Sequence, residues 1–152
     1  MDIKKLLLSL AIPLLAGGIS GYLSKDARDV FDSLAKPRFA PPPWLFGPVW
    51  SVLYLLIGVS LYRVLVSGRY TTVTLVFFGV QLALNFVWSP VFFLRNDRLL
   101  ALIIIVALLV FAILTACSFY AIDKLAGLLF LPYILWVCFA TLLNYSLYAL
   151  NR

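Results

Sequence analysis

Apolar residues in this chain fall into five long blocks separated by polar joins. The blocks cover residues 6–23, 43–66, 71–93, 99–120 and 126–150. At about 1.5 Å per residue, a helix of about 20 residues crosses the roughly 30 Å hydrocarbon core of a bilayer. The pattern therefore predicts an all-α membrane protein, a single domain over residues 1–152 built as a bundle of five transmembrane helices. Three joins, near residues 67–70, 94–98 and 122–125, are short, so helices two to five are expected to run antiparallel to their chain neighbours. The remaining join, residues 24–42, is long and carries four cationic and three acidic residues. A loop of that length is either a lid over a site or a disordered connector.

Within the blocks, the few polar and aromatic residues are not scattered. Gln81, Asn85, Trp88 and Phe92 recur at helical spacing and share one face of the third block. Tyr133, Trp136, Ala140, Leu143, Asn144 and Leu147 form a stripe on the fifth, and Trp50, Tyr54, Ile57 and Leu61 one on the second. Amides facing lipid would leave hydrogen-bonding groups unsatisfied, so Gln81, Asn85 and Asn144 are expected to face inward. The fourth block, from Leu99 to Val110, has no polar side chain and suits an outer wall. By helical rise, Trp50, Asn85, Trp88, Trp136 and Asn144 all lie within about 20 Å of the long-loop end. A cavity there would suit a large, flat, mostly apolar ligand with a few hydrogen-bonding groups. The alternative is that the amides tie helices together and the aromatics are ordinary core.

The long loop enters the second block through Lys36-Pro-Arg-Phe39-Ala-Pro41-Pro42-Pro43-Trp44-Leu-Phe-Gly-Pro-Val-Trp50. Consecutive prolines favour an extended backbone, and Pro43 can open a helix because its missing N–H is unneeded there. Phe39, Pro41, Pro42 and Trp44 are the expected lid residues, with Trp44 as an aromatic anchor at the membrane interface. Pro13 and Pro132 are expected to kink the first and fifth helices, the latter opening space beside Trp136. Gly17-x-x-x-Gly21 and Gly79-x-x-x-Ala83 are candidate seams for close helix approach or for a homodimer.

Composition agrees and narrows the chemistry. Of 152 residues, 64% are hydrophobic and 12% charged, with mean hydropathy +1.08. The charges fall almost entirely outside the blocks, so the net charge of +6 reads as membrane-flanking Lys and Arg, with no nucleic-acid patch. The first block is read as a span rather than a cleaved leader, since everything after it is equally membrane-like. On the long-loop side lie Lys25, Arg28, Lys36, Arg38, Arg95, Arg98 and Arg152; opposite lie Lys4, Lys5, Arg63, Arg69 and Lys124. That excess favours a cytoplasmic long loop in an inner, or cell, membrane rather than an outer one. There is no histidine and no glutamate, and all six aspartates lie outside the blocks. No His-based metal site or catalytic triad can form, no intramembrane carboxylate is available for proton coupling, and no metal or required cofactor is expected. Cys117 and Cys138 are expected as buried small hydrophobes rather than a disulfide.

Taken together, Lys36-Pro-x-Phe39-x-Pro41-Pro42, Trp44-x-Phe46-x-x-Val49-Trp50, Asn85-x-x-Trp88-x-x-x-Phe92-Phe93, Pro132-Tyr133-x-x-Trp136 and Ala140-Thr141-x-Leu143-Asn144 resemble the tryptophan-rich sensory protein family, bacterial relatives of the mitochondrial translocator protein (the peripheral benzodiazepine receptor). The resemblance covers nearly the whole chain. It implies a five-helix, commonly dimeric fold with a ligand cavity beneath the first loop. It also implies ligands such as porphyrins and other tetrapyrroles, isoquinoline carboxamide and benzodiazepine drugs and, in mitochondrial members, cholesterol. Carried over by position, Trp50, Asn85, Trp88, Trp136, Ala140 and Asn144 match pocket residues. Some bacterial members are reported to degrade protoporphyrin in light, with tryptophans matching Trp50 and Trp136 implicated. Leu143-x4-Tyr148-x3-Arg152 satisfies the family's loose sterol pattern. Phe39 stands where many relatives have tryptophan.

Three functions follow as expectations. The first is a membrane tetrapyrrole-binding protein acting as receptor, sensor or transporter. Its ligand residues are Trp50, Tyr54, Gln81, Asn85, Trp88, Phe92, Trp136, Ala140, Leu143 and Asn144. The second is a light- and oxygen-dependent porphyrin-degrading enzyme in which Trp50 and Trp136 take part in the chemistry. The third is a structural or partner-binding membrane protein without a small ligand.

Overall fold

The computed structural model describes residues 2–152 as helices, turns and loops, with no strand among them. Five helical segments are long and apolar enough to cross a membrane: Ile3–Leu23, Pro43–Ser67, Thr72–Leu94, Arg98–Ile122 and Lys124–Leu150. Every expected span is present, and all bounds agree with the expected ones to within three residues. The protein is an all-helical, multi-pass membrane protein. Leu7, Ile103, Val110, Leu135 and Leu142 lie exposed on its outer faces, an apolar belt of the kind a membrane-spanning bundle presents to lipid.

Sequence-local devices set the helix ends. In α1 (Ile3–Leu23) the Asp2 carboxylate accepts from the Lys5 N–H at 3.1 Å. A short α2 (Ala27–Ser33) lies within the long loop. Pro43 opens a single 3₁₀ turn, Pro43–Leu45, that leads into α3 (Phe46–Ser67). Thr71 and Thr74 cap each other's backbone at the start of α4 (Thr72–Ser89). Asp97 caps α5 (Arg98–Ile122), its carboxylate accepting from Leu100 N–H at 2.9 Å. Asp123 caps the short α6 (Lys124–Leu128), and α7 (Leu131–Leu150) follows after a turn. One proline expectation changes here. α1 continues as one helix through Pro13, which keeps its place inside it, whereas Pro132 sits in the first turn of α7, where no hydrogen bond is lost, so it starts that helix instead of kinking it.

The spans close a ring: α1 packs on α3 and α4, α4 on α5, α5 on α7, and α3 on α6 and α7. We call the end carrying residues 24–42 upper. At the lower end Arg63 clasps Asp123 through two hydrogen bonds of 3.0 and 2.7 Å, while Arg69 reaches the Ile122 carbonyl and Lys5 the Leu65 carbonyl. The α1–α3 seam depends on absent side chains. A Cβ at Gly58 would come within 2.9 Å of the Ser9 carbonyl oxygen, a group that Pro13 has left without its helical donor. A Cβ at Gly17 would overlap the Tyr54 ring. Gly17 therefore serves a contact within the chain, while Gly79 and Ala83 lie exposed on the outer face of α4. Cys117 and Cys138 are free and exposed, not buried as expected: both fall on outward faces of α5 and α7, where lipid takes the place of a protein core.

The long loop is packed. α2 buries Phe31, and Leu34 follows it into an upper core with Val91, Phe92, Ala101, Leu143 and Leu147. Asn151 fixes its far end by accepting from the Ala35 N–H and donating to the Ala35 carbonyl, both at 2.9 Å. The Lys36 ammonium donates to the Phe31 and Asp32 carbonyls, closing the C-terminal turn of α2.

Candidate functional site

Beneath α2 lies a cavity of about 500 Å³, enclosed by α1, α2, α3, α4 and α7. That size falls in the range of small-molecule sites, about 300–1,000 Å³. No residue of α5 contributes to it, in keeping with an outer wall. From α3, Phe46, Trp50 and Tyr54 face inward at helical spacing, from α4, Asn85 and Trp88, and from the wide turn that follows α4, Phe92. Trp136, Ala140, Leu143 and Asn144 project from α7. The α1 wall is nearly bare backbone, with Gly17, Gly18 and Gly21 beside Ser20 and Ser24.

Trp50 is the hub of the aromatic lining. It stacks on Tyr54 at 5.6 Å and meets Trp88 at 6.5 Å and Trp136 edge-on at 6.4 Å. Phe46 touches Trp136 at 5.9 Å and, on its other side, Phe31 of α2 at 5.5 Å. The roof and the far wall are thus one aromatic cluster.

A polar relay closes the bottom of the cavity. The Tyr54 hydroxyl donates to Asn85 Oδ1 at 2.6 Å; Asn85 Nδ2 donates to the Tyr133 hydroxyl, which donates to Gln81 Oε1, both at 2.9 Å. Buried amides and hydroxyls need partners, and this chain links them across α3, α4 and α7, leaving only the Gln81 Nε2 at its end without one. Higher up, Trp88 Nε1 donates to Asn144 Oδ1 at 2.9 Å, and Asn144 Nδ2 to the Arg98 carbonyl at 3.1 Å. Asn85 and Asn144 therefore both line the cavity and tie helices together; the two readings of the amides describe one arrangement.

The cavity brings together Trp50, Tyr54, Asn85, Trp88, Phe92, Trp136, Ala140, Leu143 and Asn144. Gln81 lies outside it, fully buried under Tyr133. The four expected lid residues do not line it either. Trp44 is 67% exposed on the outside, Phe39 packs edge-on against Phe139 at 6.2 Å, and Pro41 and Pro42 shape the approach to α3. The loop instead contributes Ser24, Ala27, Arg28 and Phe31. A helical spacing of Ala27, Val30, Phe31 and Leu34 was the available signal for α2. Sequence reasoning also missed Tyr133 as the centre of the relay and Ser20 as a wall residue.

Ser20 has a specific task. Pro90 has no N–H to give the Phe86 carbonyl, and α4 widens into a single π turn over Pro90–Leu94, with the Arg95 N–H bonded to the Pro90 carbonyl. The Ser20 hydroxyl donates to that orphaned Phe86 carbonyl at 2.8 Å. The wide turn lets both Phe92 and Phe93 reach the cavity.

Among the described residues, no three His, Cys, Asp or Glu side chains cluster as metal ligands. No acidic side chain lines the cavity, and its charged lining residue is Arg28. Such a box can hold an aromatic ligand by stacking and burial.

Comparison with known proteins gives a consistent result. The profile of the TspO/MBR family matches residues 9–150. The tryptophan-rich protein TspO of Chlorobaculum tepidum is 40% identical, over 99% of this chain and 99% of its own. That of Archaeoglobus fulgidus is 41% identical, again over 99% of both chains. The human translocator protein is 36% identical over 88% of this chain and 81% of its own.

Proposed function

The chain belongs to the TspO/MBR family of multi-pass membrane proteins, and on that premise we propose that its upper cavity receives a flat, mostly apolar tetrapyrrole such as protoporphyrin, and that the protein acts as a sensor or translocator of that ligand. The observation that carries this reading is the aromatic box around Trp50, with Trp88 and Trp136 both within 6.5 Å of it and Phe31 as its roof. Indole and phenyl faces offer a planar ring system stacking and edge contacts, and burial of its apolar faces supplies the driving force. The box opens within a membrane-embedded bundle, where such ligands concentrate. For pairing of two copies we propose the exposed Gly79–Ala83 seam of α4, since Gly17 is occupied by Tyr54.

The test is quenching of tryptophan fluorescence by protoporphyrin in detergent or nanodiscs, with thermal unfolding followed in parallel and a sterol titrated alongside. Saturable quenching and a raised melting temperature are expected, since a ligand that binds only the folded state stabilises it by mass action. Trp136→Ala and Trp50→Ala should each weaken binding at least about tenfold, because each removes a large aromatic contact worth about 1.5–3 kcal/mol. Unchanged affinity in both variants would overturn the assignment.

A second reading rests on the same indoles. Trp50 stacks on Tyr54 and touches two other tryptophans, so oxidisable rings would surround a light-excited porphyrin. Illumination of the one-to-one complex should then bleach the porphyrin faster than illumination of free pigment, and Trp50→Phe with Trp136→Phe should abolish the difference. Equal bleaching rates would reject it.

A further inference from the structure

We propose that Arg28 makes this cavity selective for ligands that carry a carboxylate at one edge of a flat aromatic body. This rests on the cavity being the ligand site, and it adds the charge class of the ligand and the residue that reads it.

The inference starts from the donors that the cavity leaves over. The hydroxyls of Ser20, Ser51, Tyr54 and Ser89 already donate to the Phe86 carbonyl, the Gly47 carbonyl, Asn85 and Ser24. The Trp88 N–H goes to Asn144. Three donors remain. The Ser24 hydroxyl accepts from Ser89 and keeps its own proton to give, Trp136 Nε1 is buried without a partner, and the Arg28 guanidinium stands at the mouth. An indole N–H and a guanidinium only donate, so they favour a ligand rich in acceptors.

Electrostatics point the same way. The loop holds acidic residues as well as basic ones, yet none of Asp26, Asp29 and Asp32 lines the cavity, whereas Arg28 does. Arg28 has one ionic partner, Asp32, at 4.0 Å, and their side chains are 75% and 54% exposed. So loose and wet a pair holds its members weakly, and a ligand carboxylate can take the guanidinium with two parallel hydrogen bonds. Of the other loop cations, Lys25 does not line the cavity, and Lys36 is committed to the Phe31 and Asp32 carbonyls and to the Phe31 ring face, 5.3 Å away.

Geometry separates the two parts of the ligand. Phe31, one turn beyond Arg28 on α2, roofs the aromatic box through Phe46. The apolar body therefore lies below α2, and a carboxylate at its edge comes up beside Arg28 in the aqueous layer. A carboxylate pushed the other way would sit among indoles with no cation, at a desolvation cost that no cavity group offsets.

The test compares protoporphyrin with its dimethyl ester, which keeps the ring and loses both charges, on the full-length protein. The quantity is the ratio of the two dissociation constants, so unequal partitioning into detergent cancels between variants. Wild type should favour the diacid, and Arg28→Gln should weaken diacid binding at least fivefold while leaving the ester unchanged. Arg28→Lys should keep part of the preference, and Lys25→Gln, which removes a cation outside the cavity, all of it. Diacid binding that is unchanged in Arg28→Gln, or diacid and ester losses of equal size, would overturn the role of Arg28. Failure of the cavity reading itself has a separate mark: Trp136→Ala would then leave both ligands bound as in wild type.

Discussion

The Tyr54 hydroxyl donates to Asn85 Oδ1 at 2.6 Å, joining α3 to α4 at the bottom of the cavity. The same amide donates to Tyr133 on α7, so one side chain holds three helices in register. Asn85→Leu should strand the Tyr54 hydroxyl and remove a partner from Tyr133. A destabilisation of about 1–2 kcal/mol is expected, the usual penalty for leaving buried polar groups unpaired. Chemical denaturation in mixed micelles measures it, and a variant as stable as wild type would show that the relay does not hold the bundle.

Gly17 and Gly18 are neighbours with opposite expectations. A Cβ at Gly17 collides with the Tyr54 ring, whereas one at Gly18 meets nothing within 4 Å. Gly17→Ala should therefore push Tyr54 off Asn85, lowering stability by about 1–3 kcal/mol as overpacking does, and weaken ligand binding with it. Gly18→Ala should stay within about 0.5 kcal/mol of wild type. Equal behaviour of the two variants would contradict the α1–α3 seam described here.

Asp123 ties the lower end together and carries a pH dependence. Its hydrogen bond with Arg63, aided by the Ala126 N–H, holds its carboxyl below the ordinary carboxylate value, against a smaller opposing effect of burial. A depressed folded-state value adds stability that is fully present above the unfolded value of about 4 and disappears as pH falls through the lower folded value. Melting temperature should accordingly drop on acidification below about pH 4. Asp123→Asn, which keeps a capping oxygen but no charge, should be less stable at neutral pH and flatter across that window. Parallel profiles for the two proteins would sink the claim.

Asn151 secures the long loop by gripping both the N–H and the carbonyl of Ala35. Asn151→Ala should loosen residues 27–36 without moving the spans. Faster amide exchange of α2 at unchanged helical content is the expected result, and unchanged protection there would contradict the clamp.

The spans were legible because hydrophobic length alone defines them in a bilayer. Trp50, Asn85, Trp88, Trp136 and Asn144 could be placed because a helical period fixes both face and depth. The loop was not legible in the same way. Its proline and aromatic residues drew notice to Phe39 and Trp44, but the cavity is roofed by Phe31, whose burial depends on contacts with Phe46 and Phe92, distant in sequence. Cys117 shows the opposite limit: in a membrane, an apolar run does not tell which of its faces meets protein and which meets lipid, so a residue expected to be buried lies exposed. Ser20 was hidden because its role is a response to Pro90, 70 positions later.

The Asn151 clamp also bears on the order of events during synthesis. Chains emerge N-terminal end first, and the residue that fastens the roof at Ala35 lies 116 positions after it. The wall bearing Trp136 and Asn144 belongs likewise to the last helix made. Until α7 has left the ribosome and entered the bilayer, α1 to α4 enclose only an open trough with an unfastened roof. The closed cavity therefore belongs to the finished bundle, and a chain interrupted before α7 lacks one wall and the fastening of its roof.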